Sequence, residues 1–188
     1  MIFKEHYDLR GKHAFLSASK YHWINYDEER LLISYENALA AQRGTELHDI
    51  ASRLIKYGLK LKGTKATLSQ YVNDSIGFRM IPEQVLYYSP FCFGTADAIS
   101  FDERKRRLRI FDLKTGSTPA SMSQLKVYAA IFCLEYGYKP QEIEIELRLY
   151  QLDDVVIEEP DPDEILEIMN KIIIFDKLLE KQEVEGLR

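Results

Sequence analysis

The chain has 188 residues, 46% of them hydrophobic, and a formal net charge of −5 at pH 7. This size suits one well-packed domain and is too small for two comfortable ones. The acidic balance argues against a protein that coats nucleic acid nonspecifically, although an acidic protein can still carry a local basic groove. Neither Cys92 nor Cys133 has a C-x-x-C partner or zinc-type spacing, so no zinc or iron–sulfur site is predicted.

The N-terminal residues lack the features of a targeting segment. Met1 to His6 contain no apolar core of a signal peptide, and no stretch of the chain approaches the roughly 18 apolar residues of a membrane span. We therefore expect a soluble, cytoplasmic protein without a membrane partner.

The first third of the chain is predicted to be helical. Ser17 and Ser19 offer N-cap side chains for a short helix that passes through Tyr26. Apolar residues at helical spacing then predict a longer helix over about 35–60, and a shorter helix is predicted over 68–76.

Strands dominate the middle of the sequence. The predicted elements are a strand over 83–88, a hairpin over 94–101 and 108–116, a helix over 121–136, a strictly alternating strand over 142–150, a short strand over 155–158 and a terminal helix from Asp161. This order predicts an α/β fold with a central mixed β-sheet flanked by helices. We expect a single domain with a helical N-terminal part (14–78), a core (80–158) and a C-terminal helix (161–182).

The hairpin carries two aspartates and a lysine in a pattern that strand geometry makes specific. Because side chains alternate along a strand, one predicted face carries Thr95, Asp97, Ile99 and Phe101, and its counterpart carries Leu108, Ile110, Asp112 and Lys114. Pairing the two apolar ends sets Phe101 opposite Leu108 and therefore Asp97 opposite Asp112, with Cβ atoms about 5 Å apart. Carboxylates that face each other repel, so the pattern predicts a bound divalent cation.

These residue types suit phosphodiester cleavage. The reaction needs an activated water, a Lewis acid on the phosphate and stabilisation of the leaving oxygen, and magnesium held by one or two carboxylates can serve these needs. We assign Asp97 and Asp112 to the metal. Lys114 lies two residues further along the same predicted face, where it can polarise the attacking water or neutralise charge that develops on the phosphate.

The order of the motifs resembles that of the PD-(D/E)XK nuclease superfamily, and more closely its RecB-like branch. That branch includes nuclease domains of recombination complexes, CRISPR-associated exonucleases and many small phage proteins. The resemblance spans roughly residues 48–128. It is carried by Gly44-Thr45-Glu46-Leu47-His48 on a helix, Gly94-x-x-Asp97, Asp112-x-Lys114-Thr115-Gly116 and Gln124-x-x-x-Tyr128.

The resemblance implies a restriction-endonuclease-like core that holds Mg²⁺ or Mn²⁺. The metal ligands it implies are His48, Asp97, Asp112 and the backbone carbonyl of Leu113. The four cysteines that hold an iron–sulfur cluster in several members of the branch are missing from this sequence, so no cluster is expected.

The resemblance also implies roles outside the metal site. Lys114 would orient or activate the nucleophilic water, and Gln124 and Tyr128, one helical turn apart, would organise the active site and contact the DNA backbone. Glu83 occupies a place where some relatives carry an acidic residue, and its role is left open.

The implied function is a metal-dependent DNA nuclease, with exonuclease activity favoured, that acts in DNA recombination, repair or phage DNA processing. DNA is the implied partner, and a homo-oligomer or a recombination protein as a further partner stays open. The alternative is a catalytically silent module on the same fold that binds nucleic acid or protein. A third interpretation, an α/β protein whose hairpin charges are incidental, would gain from a structure with Asp97 and Asp112 on opposite faces of the sheet.

Several of these residues also have ordinary structural interpretations. His48 borders an apolar stripe and could be a hydrogen-bonded core histidine, and Lys114 could form a structural salt bridge. Gln124 and Tyr128 could be an unremarkable helical pair. The aromatic residues near Trp23 could stack on bases of a single strand, but core packing is the favoured interpretation.

Gly44 stands inside the long predicted helix, where glycine costs about 1 kcal/mol relative to alanine. It indicates either a close approach by another backbone or a substrate, or a break between two helices.

Overall fold

The computed structural model describes residues 4–186 and shows an α/β fold with one five-stranded mixed sheet flanked by helices. The helices are α1 (Glu28–Tyr57), α2 (Thr67–Gly77), α3 (Ser123–Tyr136) and α4 (Pro162–Gly186). The strands are β1 (Ile81–Ser89), β2 (Cys92–Asp102), β3 (Arg107–Leu113), β4 (Glu144–Gln151) and β5 (Asp154–Glu158). The predicted fold class and order of elements are confirmed. The architecture is compatible with a restriction-endonuclease-like core but does not by itself identify one.

The long first helix differs from its predicted bounds at both ends, for local reasons. It begins at Glu28 because Asp27 caps it: the Asp27 carboxylate accepts a hydrogen bond of 2.8 Å from the amide of Arg30. It ends at Tyr57 because Gly58 adopts a left-handed conformation with φ of 65°, which closes the last turn.

The short helix predicted from Ser17 is instead a 3₁₀ segment, Ala18–Asn25, kinked at Lys20. Ser17 makes no side-chain cap on it, because its hydroxyl lies 3.2 Å from that of Ser19 and the pair bond each other.

Strands follow the chain order across the sheet, β1-β2-β3-β4-β5. The β3–β4 pair is parallel and the other three pairs are antiparallel. A parallel pair needs a crossover connection, and α3 supplies it. This topology leaves β3 central, which explains why the strand that carries Asp112 is buried on both faces.

Two apolar cores lie on opposite faces of the sheet. The core beneath α3 and α4 includes Leu86, Leu108, Ile110, Leu125, Leu147 and Ile165. The core beneath the second half of α1 and α2 includes Ala51, Tyr71, Phe111, Leu113 and Tyr150. Alternate residues of β3 therefore anchor the strand from both sides, so its C-terminal end is rigidly placed.

The chain divides into two compact units, Met1–Arg43 and Gly44–Arg188. In the first unit Trp23 donates its indole hydrogen bond to the carbonyl oxygen of Ser17 at 3.0 Å. None of residues 4–43 is buried, and Tyr21 is 57% exposed, so core packing is the wrong interpretation for the aromatic residues near Trp23. Whether the whole chain is one domain stays a prediction.

No helix in the described part of the chain combines the length and the apolar character needed to cross a bilayer.

Candidate metal centre and hydrogen-bonded lysine

The register of the β2–β3 hairpin is the predicted one. Phe101 pairs with Leu108, and the paired ladder runs to Ala98 and Phe111. The ladder ends one residue short of the predicted pair of Asp97 and Asp112, so that pair stays a prediction. The Asp97 carboxylate accepts a hydrogen bond of 2.8 Å from the backbone amide of Leu113, the residue next to Asp112.

The pleat of β2 is not regular at this point. Ala96 and Ile99 both pack in the core beneath α3, whereas Ala98 packs in the core on the opposite face. Side chains three positions apart share a face here, which strict alternation forbids. The prediction that Thr95, Asp97, Ile99 and Phe101 share one face is therefore wrong.

The neighbouring strand β1 is also irregular at this level. Pro82 pairs with Ala98 and Gln84 with Ala96, which places Glu83 opposite Asp97. Glu83 has a φ of 53°, a left-handed conformation that non-glycine residues seldom adopt. The two irregular residues therefore stand opposite each other, and the Asp97 carboxylate lies near His48 on α1.

His48, Glu83 and Asp97 form a group in which each residue offers one ligand atom within 4.8 Å of the others. His48 Nδ1 lies 3.4 Å from Asp97 Oδ2. The hydrogen bond with Asp97 raises the pKa of His48. Burial, and then the negative charge of Asp97, raise the pKa of Glu83. The two carboxylates repel each other, and a cation between them, whether a protonated His48 or a bound metal ion, relieves that repulsion.

Asp112 is the most deeply buried acidic side chain at the site, with 1% of its surface exposed. Its Oδ1 accepts a hydrogen bond of 3.2 Å from Lys114 Nζ. Its Oδ2 lies 3.0 Å from the same nitrogen but off the hydrogen-bond direction, and it has no hydrogen-bond partner among the described residues. Burial, and next the charge of Asp97, raise the pKa of Asp112.

A chain of hydrogen bonds fixes Lys114 on the side of α3. Lys114 Nζ donates to Gln124 Oε1 at 2.8 Å, and Gln124 Nε2 donates to the Tyr128 hydroxyl at 3.2 Å. The Tyr128 hydroxyl donates to the carbonyl oxygen of Thr95 at 2.7 Å. The backbone amide of Lys114 is also held, by the carbonyl oxygen of Tyr150 at 2.9 Å. Because Gln124 and Tyr128 lie one helical turn apart, their hydrogen bonds connect Lys114 to Thr95 on β2.

Two glycines of the motifs allow close approach. A Cβ on Gly94 would stand 3.0 Å from Tyr128 Cε1, so a side chain there would displace the ring. A Cβ on Gly44 would stand 2.8 Å from Thr115 Oγ1. The helix α1 runs unbroken through Gly44, so the predicted helix break is wrong. A close approach does occur, but it is made by the side chain of Thr115 rather than by another backbone or a substrate.

The donor set fits a hard divalent cation. Carboxylates suit Mg²⁺ and Mn²⁺, and an imidazole favours Mn²⁺. The buried Oδ2 of Asp112 forms an ion pair with Lys114 but accepts no hydrogen bond from the described residues, so it can serve as a further ligand atom. The close group nevertheless comprises His48, Glu83 and Asp97, and leaves Asp112 just outside it. The predicted ligands are therefore brought together only in part, and the carbonyl of Leu113 as a ligand stays a prediction.

Glu83 is the candidate ligand whose role the sequence left open. Its position could have been predicted from the sequence. If β1 and β2 form a hairpin that turns at Pro90, counting residues back from the turn pairs Glu83 with Asp97. The left-handed backbone conformation of Glu83 could not have been predicted, because glutamate does not favour that conformation.

The chain matches no protein-family model and no curated protein in sequence. The resemblance to PD-(D/E)XK nucleases therefore rests on the motifs themselves.

Proposed function

We propose that the protein is a metal-dependent deoxyribonuclease that hydrolyses phosphodiester bonds, with exonuclease activity favoured over endonuclease activity. One observation carries the proposal: a buried aspartate, Asp112, is bonded to Lys114 and keeps one carboxylate oxygen without a hydrogen-bond partner among the described residues. A buried acceptor of this kind destabilises a fold, so it is retained for a function, and a metal ligand is the function its chemistry suits best.

The acidic side of the site would hold the cation. His48, Glu83 and Asp97 would bind it, with Asp112 completing the set through its free oxygen. When bound, Mg²⁺ or Mn²⁺ supplies positive charge to the scissile phosphate and lowers the pKa of a coordinated water.

The lysine side of the site would handle the water and the phosphate. Because Asp112 and Gln124 both accept from Lys114, its ammonium group is held in one orientation rather than sampling many rotamers. An oriented ammonium group can donate to a phosphate oxygen as negative charge develops there, and can direct the attacking water. Tyr128 acts one step away, as a positioning residue for Gln124.

A cleavage assay tests the proposal. Linear and circular DNA, single- and double-stranded, are incubated with the wild type and Mg²⁺ or Mn²⁺, and with the variants Asp112→Asn and Lys114→Met. We expect cleavage that needs the metal and the DNA end, and a loss of about 10²-fold or more in kcat for each variant. Lys171→Met, which removes an exposed lysine from α4, is the matched control and should cleave normally.

Unchanged cleavage by both Asp112→Asn and Lys114→Met would contradict the proposed nuclease site. Tight binding of DNA without metal and without turnover would instead favour the catalytically silent module. Cleavage of closed circles as fast as linear DNA would keep the nuclease and reject the exonuclease preference.

A further inference from the structure

A cleft of about 400 Å³ is lined in part by Lys114 but not by Gln124. This volume falls within the range of sites that hold small molecules, about 300–1,000 Å³. Its walls include four leucines: Leu47 from α1, Leu68 from α2, Leu113 from β3 and Leu152 from the β4–β5 turn. Thr67, Thr115 and Asp153 add polar groups. Lys114 is the only lysine or arginine among the lining residues. The Asp153 carboxylate is engaged by the amide and hydroxyl of Thr67.

The wall formed by Leu152 is unusual. Gln151 pairs with Asp154, so Leu152 and Asp153 make a two-residue hairpin turn, and their φ angles are 53° and 59°. Turns with two left-handed residues strongly prefer Asn-Gly or Asp-Gly. A leucine in that conformation is strained, and this one is also 62% exposed, so neither turn chemistry nor core packing accounts for it.

The turn is nevertheless held firmly in place. The Asp153 carboxylate accepts hydrogen bonds from the amide and the hydroxyl of Thr67, at 2.8 and 3.1 Å, and the Asp153 amide donates to that hydroxyl at 2.7 Å. On the other side Gln151 Nε2 donates to the carbonyl oxygen of Gly116 at 2.7 Å. The turn, the start of α2 and the segment after Lys114 therefore form one preorganised frame around the cleft.

We propose that this cleft binds one unstacked nucleobase, that of the nucleotide next to the scissile phosphate, with Leu152 against the face of the base. The inference rests on the proposed nuclease function and adds the substrate class: a single strand, or a duplex end that has frayed. A cleft with leucine walls and a polar border suits a base, since extruded bases are held between apolar or aromatic side chains and are read by hydrogen bonds at their edges. The proximity of Lys114 requires that the base belong to a nucleotide whose phosphate lies at the site. A base paired within a duplex could not enter such a cleft.

The experiment compares intact and abasic substrates. Steady-state cleavage is measured on a single-stranded oligonucleotide of mixed sequence, and on versions with one abasic residue placed at successive positions from the end. For the wild type we expect one position, next to the cleaved bond, at which the abasic residue raises KM about tenfold, while kcat changes less.

Leu152→Asn tests the wall without disturbing the turn, because asparagine tolerates the left-handed conformation. We expect KM on the intact strand to rise about tenfold in this variant, and the abasic residue then to cause little further loss, since both changes remove the same contact. Leu178→Asn, at a leucine of α4 that is 58% exposed, is the control and should keep the wild-type response.

A binding measurement separates the two proposals. Fluorescence anisotropy with labelled intact and abasic strands, in calcium, reports the base contact without requiring turnover. Base-dependent binding that Leu152→Asn abolishes would support the cleft even if the protein cleaved nothing, in which case the nuclease proposal alone fails. Cleavage that is insensitive to an abasic residue at every position, or an abasic penalty retained in full by Leu152→Asn, would overturn the cleft proposal and leave the nuclease intact.

Discussion

At the residue scale, Asp112 is a buried acidic residue whose ionised form is unfavourable in the metal-free protein. Its carboxylate is buried, its pKa is raised by that burial and by Asp97, and its only cation partner among the described residues is Lys114. A buried charge with incomplete hydrogen bonding destabilises a fold, and such strain is typical of functional positions.

Asp112→Asn should therefore stabilise the metal-free protein. We expect the free energy of unfolding to rise by about 1 kcal/mol at neutral pH, and Tm to rise by about 2–4 °C, as read by thermal unfolding in a chelator. Because the folded pKa lies above the ordinary value, ionisation of Asp112 opposes folding at higher pH. The gain should thus be largest at neutral pH and vanish only below about pH 3, where the carboxyl is neutral in both states.

With added Mn²⁺ the wild type should have the higher Tm of the two proteins, since only the wild type retains the full set of metal ligands. A variant with a lower Tm than the wild type in the chelator would show that Asp112 is a structural ion-pair residue, as one of the ordinary interpretations holds.

At the residue scale, strand register predicted Asp97, Asp112 and Lys114 as neighbours, and helical spacing predicted that Gln124 and Tyr128 share a helix face. That this pair lies at the same site was implied by the resemblance to PD-(D/E)XK nucleases. The sequence did not predict the irregular pleat of β2 near Asp97 or the left-handed backbone of Glu83 on the neighbouring strand. The hydrogen bond from the Leu113 amide to Asp97 was equally hidden.

At the scale of elements, the approach of α1 to the end of β3 positions the site. Gly44 permits this approach, since a Cβ there would meet Thr115 Oγ1 at 2.8 Å, and His48 lies one turn further along the same helix. Helix propensity alone would favour alanine at position 44 by about 1 kcal/mol. The glycine is therefore kept for packing rather than for helix formation.

A double-mutant cycle tests this packing. Gly44→Ala alone should destabilise the protein by about 1 kcal/mol, because overpacking of about 1–3 kcal/mol exceeds the gain in helix propensity. In a Thr115→Ala background the obstructing hydroxyl is gone, and the same substitution should stabilise by up to about 1 kcal/mol. Urea unfolding of the four proteins measures both values. Equal effects in the two backgrounds would mean that Gly44 does not pack against Thr115.

Element order was predictable because hydrophobic periodicity and the proline and glycine breaks are strong along this chain. The ends of α1 were misplaced because the predicted bounds overlooked Asp27 as an N-cap and Gly58 as a C-terminal glycine, although both signals are in the sequence. The strain at Leu152 was unpredictable, since nothing local marks that leucine as left-handed.

At the scale of the whole molecule, the two cysteines report the integrity of the core. Cys133 on α3 is 1% exposed, and burial raises the pKa of its thiol to about 12. Cys92 at the start of β2 is half-buried. The thiolate is the reactive form, so Cys133 should be inert in the folded protein.

Thiol labelling at pH 8 should therefore be biphasic. In a Cys133→Ser variant the remaining thiol should react in the native state, whereas in a Cys92→Ser variant labelling should be slow and should accelerate through the urea unfolding transition. Rapid native-state labelling of Cys133 would contradict the packing of α3 against the sheet.

The central claim is that one divalent cation joins the acidic group to Asp112. Its most direct test is an anomalous difference map from crystals of the wild type soaked in Mn²⁺. We predict one strong peak in contact with Asp97 and Asp112, with His48 and Glu83 among its neighbours. A map from fully soaked crystals with no peak between the two aspartates would contradict the claim.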